Sequence, residues 1–283
     1  MKIEKPEEIG FCFGVRRAID IVERTAREHG GVETLGAVVH NQQVLQRLAR
    51  VGVRIVNDVA DVQGDRLVIS THGVGPQLEA ESRARNIEIV DTTCPFVRRA
   101  QMAAQKLAES SFFVVVFGDA NHPEVKGVLG WTRGKGLAAL DETFAASLDP
   151  VPRRLGVLSQ TTQIPARFVE FAKKLIDSAF IKDSELRIID TICHDSRQRQ
   201  AAATKLASKV DLMLVIGGHN SANTRHLAQL CAMSTRTYLI ETAEEIQPSW
   251  LRGQNDIGIT SGTSTDEQTI NEVLAKLEAV SRA

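Results

Sequence analysis

Three cysteines constrain this chain more than any other feature. Cys12 is followed by FGVRRAIDIVERTA and Cys94 by PFVRRAQMAAQKLA, and both stretches carry Val-Arg-Arg-Ala at the same offset from the cysteine. Apolar residues then recur at helical spacing: Val15, Ile19 and Val22 after the first, Val97, Ala104 and Leu107 after the second. Cys193 precedes HDSRQRQAAATKLASKV, which is also helix-like and basic at its start. Each cysteine therefore stands at or just before a helix N-terminus. A glycine falls 24 residues after each one, at Gly36, Gly118 and Gly217. The last two glycines end the apolar runs Phe113–Phe117 and Leu212–Ile216, whereas Gly36 precedes a short run, Ala37-Val38-Val39. Short runs rich in Val and Ile read as buried parallel strands.

A second strand in each repeat ends in small polar residues. Leu67-Val68-Ile69 leads into Ser70-Thr71-His72-Gly73, Leu155–Leu158 into Ser159-Gln160-Thr161-Thr162, and Ile257-Gly258-Ile259 into Thr260-Ser261-Gly262-Thr263-Ser264. Alternating strands and helices predict an α/β fold with parallel sheets, here three pseudo-repeated units covering residues 1–92, 93–191 and 192–283. No linker rich in Pro, Gly or Ser marks the boundaries. Loops beyond strand C-termini carry function in such sheets, so these segments are expected to converge on a shared central site.

Composition narrows the function. The chain has 283 residues, 43% apolar and 24% charged, with a formal net charge of −1. That balance, without a long basic block, argues against nucleic acid as partner. No apolar run reaches membrane-span length, and the N-terminal MKIEKPEEIGF lacks a signal-peptide pattern, so a cytoplasmic protein with reduced cysteines is expected. The four cysteines form no CxxC pair, so any site they build is assembled from distant parts of the chain. Cys231 lies within HLAQLCAMSTR and reads as core packing. The remaining three thiolates suit a soft metal. Zinc is one option. A [4Fe–4S] cluster held by Cys12, Cys94 and Cys193, with one iron open, is the expectation we carry forward, because it joins coordination to redox chemistry.

At these residues the chain resembles the LytB/IspH family. The resemblance rests on GFCFGVRRAI (10–19), VVHNQQVLQRL (38–48), STHGV (70–74), VDTTCPFV (90–97), HPEVKG (122–127), SQTT (159–162), TIC (191–193), HNSANTRHLA (219–228) and GTST (262–265), and it spans nearly the whole sequence. It implies reduction of 4-hydroxy-3-methylbut-2-enyl diphosphate to isopentenyl and dimethylallyl diphosphates, the last step of the non-mevalonate isoprenoid pathway. It also implies ferredoxin or flavodoxin as electron donor, and a monomer or homodimer is expected. By the same resemblance Glu124 is the proton source and Thr161 a relay or hydroxyl-holding residue. His40, His72, His122, Thr162, Ser221, Asn223 and Ser264 are then expected to bind the substrate and its diphosphate.

The chain departs from the family pattern at several positions. Ala222 replaces a serine, His194-Asp195-Ser196 replaces an aromatic residue and Ala-Thr, Asp266 replaces a proline, and Gly75 replaces what is more often serine. These changes leave open a paralogue with a different small substrate, or a non-catalytic iron–sulfur sensor, as second readings.

Overall fold

The apolar runs become the inner strands of three four-stranded parallel sheets. The computed structural model describes residues 1–148, 152–179 and 184–282. In chain order the first elements are β1 (Lys2–Glu4), α1 (Phe13–His29), β2 (Val32–Leu35), α2 (Gln42–Arg50), β3 (Val53–Val56), β4 (Arg66–Ile69), α3 (Pro76–Ala84) and β5 (Glu88–Asp91). Then come α4 (Pro95–Glu109), β6 (Phe113–Phe117), α5 (Pro123–Gly130), β7 (Gly136–Ala139), β8 (Arg154–Ser159), α6 (Pro165–Ala179) and β9 (Glu185–Ile189). The last are α7 (His194–Ala207), β10 (Leu212–Ile216), α8 (Ala222–Ala232), β11 (Arg236–Ile240), α9 (Pro248–Leu251), β12 (Asp256–Ser261) and α10 (Glu267–Arg282).

The sheets are ordered β3-β2-β4-β5, β7-β6-β8-β9 and β11-β10-β12-β1. The order is the same in all three, with one difference: the fourth strand of the last sheet comes from the opposite end of the chain. β1 pairs in parallel with β12, Ile3 opposite Ile257. By contacts the chain forms two compact units. One comprises Met1–Arg16, Val39–Arg50 and His194–Ala283, and the other comprises Arg17–Val38 and Val51–Cys193.

One expected strand moves. The strand in the first repeat is Val32–Leu35, ahead of Gly36, and not Ala37–Val39 after it. All three glycines therefore follow a strand. The strand VETL was masked by Glu33 and Thr34, two polar residues that are buried. Glu33 is satisfied there by the Gln63 and Gly64 amides and by an ion pair with Arg54.

Strand alternation sorts the core into layers. On one face of the second sheet Val114 and Val116 pack with Ala104 and Leu107 of α4 and Val125 of α5. On the other face Val115 and Phe117 pack with Phe168, Phe171 and Leu175 of α6. In the third sheet Leu212, Leu214 and Ile216 meet Ile270, Val273 and Leu277 of α10, while Met213 and Val215 meet Leu206, Leu227 and Cys231. With both faces covered, the central strands tolerate runs without polar residues. Among the described residues no helix is long and apolar enough to cross a membrane.

Candidate active-site residues

The three cysteines share one local construction. The Cys94 amide donates to the Thr71 carbonyl over 3.1 Å, the Cys193 amide to Thr161 over 3.0 Å, and the Cys12 amide to Thr263 over 3.1 Å. Each threonine belongs to a loop that follows a sheet strand, and each cysteine immediately precedes a helix. All three side chains are half-buried and none is in a disulfide. Helix N-termini favour a thiolate through their amide dipoles. At Cys12 the Val15 N–H approaches Sγ at 3.5 Å. Burial still pushes this thiol up, reinforced by Asp195 and opposed by the Val15 amide and Arg199. A coordinating metal removes such a proton outright. Cys231 contrasts on every count: it is fully buried in an apolar layer, and burial alone drives its thiol up to about 12.

Five of the expected residues in the larger unit come from two loops and the start of α5. Glu124 lies in the first turn of α5 and is only 2% exposed. Its Oε1 accepts the Thr161 backbone N–H at 2.6 Å and its Oε2 pairs with the Thr161 hydroxyl at 2.9 Å. Burial raises its pKa to about 7 against the opposing pull of both Thr161 bonds. His122 caps the same helix, its Nδ1 accepting the Glu124 N–H at 3.2 Å. An Nδ1 that accepts leaves Nε2 carrying the proton, ready to donate. The His72 ring stands edge-on to His122 with centroids 5.4 Å apart, and its Nδ1 is 3.3 Å from the Ser70 hydroxyl. Thr162 follows Thr161 in the same loop and is half-buried.

In the other unit His40, Ser221, Asn223 and Ser264 lie on loops and a helix start around the third sheet. A Cβ on Gly218 would sit 2.3 Å from the His40 carbonyl oxygen, so glycine lets the His40 loop lie against the loop leading into α8. His40 is half-buried, and burial with the Arg225 cation lowers its pKa. Ser221 is the N-cap of α8, accepting the Thr224 N–H at 3.3 Å. Asn223 is 3% exposed, and neither its amide nitrogen nor its oxygen has a hydrogen-bond partner. A buried amide left unsatisfied costs about 1–3 kcal/mol. That cost points to a polar ligand that completes it. Ser264 is buried in the loop after β12, which the Thr265 hydroxyl pins to the Ile216 carbonyl at 3.0 Å.

A family model described as LytB protein matches residues 3–278. The chain belongs to the LytB family. The 4-hydroxy-3-methylbut-2-enyl diphosphate reductase of Dehalococcoides mccartyi (strain ATCC BAA-2266 / KCTC 15142 / 195) is 60% identical over 281 residues, which cover 99% of each chain. The reductase of the same name from Geotalea uraniireducens (strain Rf4) is 40% identical over 283 residues, 100% of this chain and 99% of the relative. Among solved structures, an (E)-4-hydroxy-3-methyl-but-2-enyl diphosphate reductase described as the terminal enzyme of the non-mevalonate pathway superposes with a TM-score of 0.71 at 38% identity, over 98% of this chain and 99% of that one. The E-1-hydroxy-2-methyl-but-2-enyl-4-diphosphate reductase of Plasmodium falciparum gives 0.91 at 26% identity, over 97% and 87%.

Two departures from the LytB pattern have structural work to do. Asp266 faces its own helix, its carboxylate accepting the Thr269 N–H at 2.9 Å and the Thr269 hydroxyl at 2.5 Å, with Arg47 3.7 Å away. It is an N-terminal cap for α10. Gly75 packs against Gly130, where a Cβ would come 3.1 Å from the Gly130 Cα. Asp195 receives the Phe13 N–H at 3.4 Å, so its charge meets the start of α1. Ala222 is the first residue of α8 and is buried. Arg199 was not singled out from the sequence. It is buried, donates to the carbonyl and hydroxyl of Ser261, and acts electrostatically on Cys12. Its only sequence trace is the basic character of the stretch after Cys193.

Proposed function

We propose that this LytB-family chain reduces 4-hydroxy-3-methylbut-2-enyl diphosphate, removing its hydroxyl as water to give isopentenyl and dimethylallyl diphosphates. The observation that carries this reading is the Glu124–Thr161 pair: a buried carboxyl poised near 7 and locked to a hydroxyl. A general acid works best with a pKa near the operating pH. The identity with the Dehalococcoides and Geotalea reductases supports the same substrate.

Cys12, Cys94 and Cys193, one from each of the segments 1–92, 93–191 and 192–283, would hold the cluster. Three half-buried thiols at helix starts, each with its amide anchored on a threonine carbonyl, are a donor set suited to iron. When bound, a [4Fe–4S] cluster with three cysteine ligands supplies electrons one at a time and one iron free of protein ligands. The protein supplies the rest. His72 and His122 donate through ring N–H groups to diphosphate oxygens, joined by His40 and the hydroxyl and amide groups of Ser221, Asn223 and Ser264, while Thr162 borders the organic moiety. Glu124 releases its proton through Thr161 Oγ1 to the leaving hydroxyl. Two electrons and two protons convert the alcohol to the hydrocarbon and water, which balances the reaction.

Two of the departures, Asp266 and Gly75, are used within the fold and lend no weight to a different substrate. The decisive experiment is anaerobic reconstitution followed by turnover of the diphosphate with dithionite, together with iron and sulfide analysis. Product formation with both elements bound supports the proposal. Bound zinc without sulfide, or no product, overturns it.

A further inference from the structure

Helix α7 begins at His194, directly after Cys193, and its first two turns hold the segment that carries Cys12. Asp195 and Arg199 stand one helical turn apart on α7 and reach that segment separately. The Asp195 carboxylate accepts the Phe13 N–H at 3.4 Å. Arg199 Nη1 donates to the Ser261 carbonyl at 3.1 Å and to the Ser261 hydroxyl oxygen at 3.3 Å. The same hydroxyl oxygen accepts the Gly10 N–H at 2.8 Å, and its own proton goes to the Gly262 carbonyl at 3.2 Å. Cys12 hangs by its amide on Thr263, in the loop that Ser261 leads into. The acid therefore meets the chain just after Cys12, and the cation is tied through Ser261 to the chain just before it. All of these residues lie in the compact unit that comprises Met1–Arg16, Val39–Arg50 and His194–Ala283.

We propose that Asp195 and Arg199, through this grip on the Cys12 segment, set with opposite signs the reduction potential of the cluster that Cys12 helps to bind. The proposal rests on the cluster-bearing reading above. It makes both side chains positioning residues, acting on the cluster through charge and through the backbone that presents Cys12.

The first argument is the burial of a cation. Arg199 is only 4% exposed, and a guanidinium keeps its charge at any working pH. A neutral amide could make the two bonds to Ser261. A full charge adds an interaction that reaches further, and burial protects it from screening by salt. Its reach extends to Cys12, whose thiolate form Arg199 favours and Asp195 disfavours.

The second argument is sign. An iron–sulfur cluster gains one negative charge on reduction, and nearby charge is one of the levers on its potential. A fixed cation stabilises the reduced form, and a carboxylate stabilises the oxidised form. Asp195 is half-buried and therefore the more screened of the two. It also stands where the LytB pattern has alanine, so its pull toward the oxidised form is particular to this chain, and Arg199 opposes it from the next turn.

The test uses the full-length protein after anaerobic reconstitution, with iron and sulfide assayed before each measurement. Redox titration followed by electron paramagnetic resonance gives the midpoint potential. Asp195→Ala should raise it. Arg199→Met should lower it by about a tenfold change in the reduction equilibrium or more, which is ~59 mV for a one-electron couple. Arg199→Lys keeps the charge and should stay nearer the wild-type potential than Arg199→Met. Equal potentials in all four proteins overturn the proposal, as do shifts of the same sign in Asp195→Ala and Arg199→Met. If Arg199→Met retains no iron, Asp195→Ala decides alone: a raised potential supports the proposal, and an unchanged one overturns it. Wild-type protein without iron and sulfide would instead remove the cluster reading, so the two failures are separable.

Discussion

The Cys12 amide donates to the carbonyl of Thr263 over 3.1 Å, joining residues near opposite ends of the chain. The same bond recurs from Cys94 to Thr71 and from Cys193 to Thr161. In each case the threonine follows the third strand of one sheet, and the cysteine follows the fourth strand of that same sheet. For Cys12 the fourth strand is β1, so the third sheet takes its last strand from the N-terminus. The construction gives the three cysteine backbones the same amide anchor.

That equivalence sets the first expectation. Replacing Cys12, Cys94 or Cys193 with serine should abolish retention of iron and acid-labile sulfide, measured after anaerobic reconstitution. Cys231→Ser should retain both. It should instead lower stability, because a smaller and more polar hydroxyl replaces the sulfur in an apolar layer, where the Ala203 carbonyl is the acceptor 3.9 Å from Sγ. Urea denaturation reads that cost, and equal iron loss in all four variants would refute the assignment.

Glu124 is expected to govern the pH profile. Its pKa near 7 means that the proton-bearing form is depleted as pH rises through that value. Turnover with a chemical reductant should therefore fall on the alkaline side, and Glu124→Gln should remove that limb while lowering the rate by about 10²–10⁴-fold. Stability follows the same sign. A carboxyl whose folded pKa is raised above its unfolded value stabilises the fold below the unfolded value, and this contribution is lost as pH rises through about 7. The glutamine variant should show a flatter stability profile over that window. A wild-type alkaline limb surviving in the variant would move the acid elsewhere.

The contact between Gly75 and Gly130 is expected to be intolerant of side chains. A Cβ on Gly130 would lie 2.7 Å from the Gly75 Cα, and backbone cannot rotate away as a side chain can. Gly130→Ala should destabilise by about 1–3 kcal/mol. Gly75→Ser, which restores the more usual family residue, should cost less, since its Cβ meets the Gly130 Cα at 3.1 Å and its nearest contact, at 3.0 Å, is the flexible end of Gln77. Chemical denaturation of both variants checks the order, and a neutral Gly130→Ala would remove the packing argument.

What the sequence discloses depends on what each residue has to do. Apolar central strands such as Phe113–Phe117 were legible because both faces are covered, whereas Val32–Leu35 was not, because Glu33 and Thr34 are buried by specific partners that no periodicity reveals. The cysteine repeat was visible, but the pairing of β1 with β12 was not, since three residues with two charges carry no strand signal. At the candidate site, Glu124 and Thr161 came from motif resemblance, and their bond is a tertiary fact between a helix start and a loop 37 positions apart. Arg199 escaped because a basic helix residue ordinarily faces water, whereas this one is buried and bonded to Ser261. Asp266 looked like a change in the ligand pocket until its carboxylate was found on Thr269.

Asn223 separates a ligand-binding role from a structural one most cleanly. Its amide is buried at 3% exposure with neither polar atom satisfied. A residue selected for stability would not leave both atoms unpaired, because each such group costs free energy in the folded state. Removing the amide should therefore cost little stability. Asn223→Ala loses some packing but also relieves the unsatisfied groups, so its denaturation midpoint should stay close to wild type. Binding should respond in the opposite sense. If the amide meets a diphosphate oxygen, its loss removes a hydrogen bond to a charged group, worth about 1.5–3 kcal/mol, and substrate affinity falls by about tenfold or more. KM should rise while kcat changes little, since bound substrate and transition state share the interaction. Iron and sulfide content should be unaffected. A variant that lost several kcal/mol of stability with an unchanged KM would mark Asn223 as a structural residue and leave the diphosphate to His72 and His122.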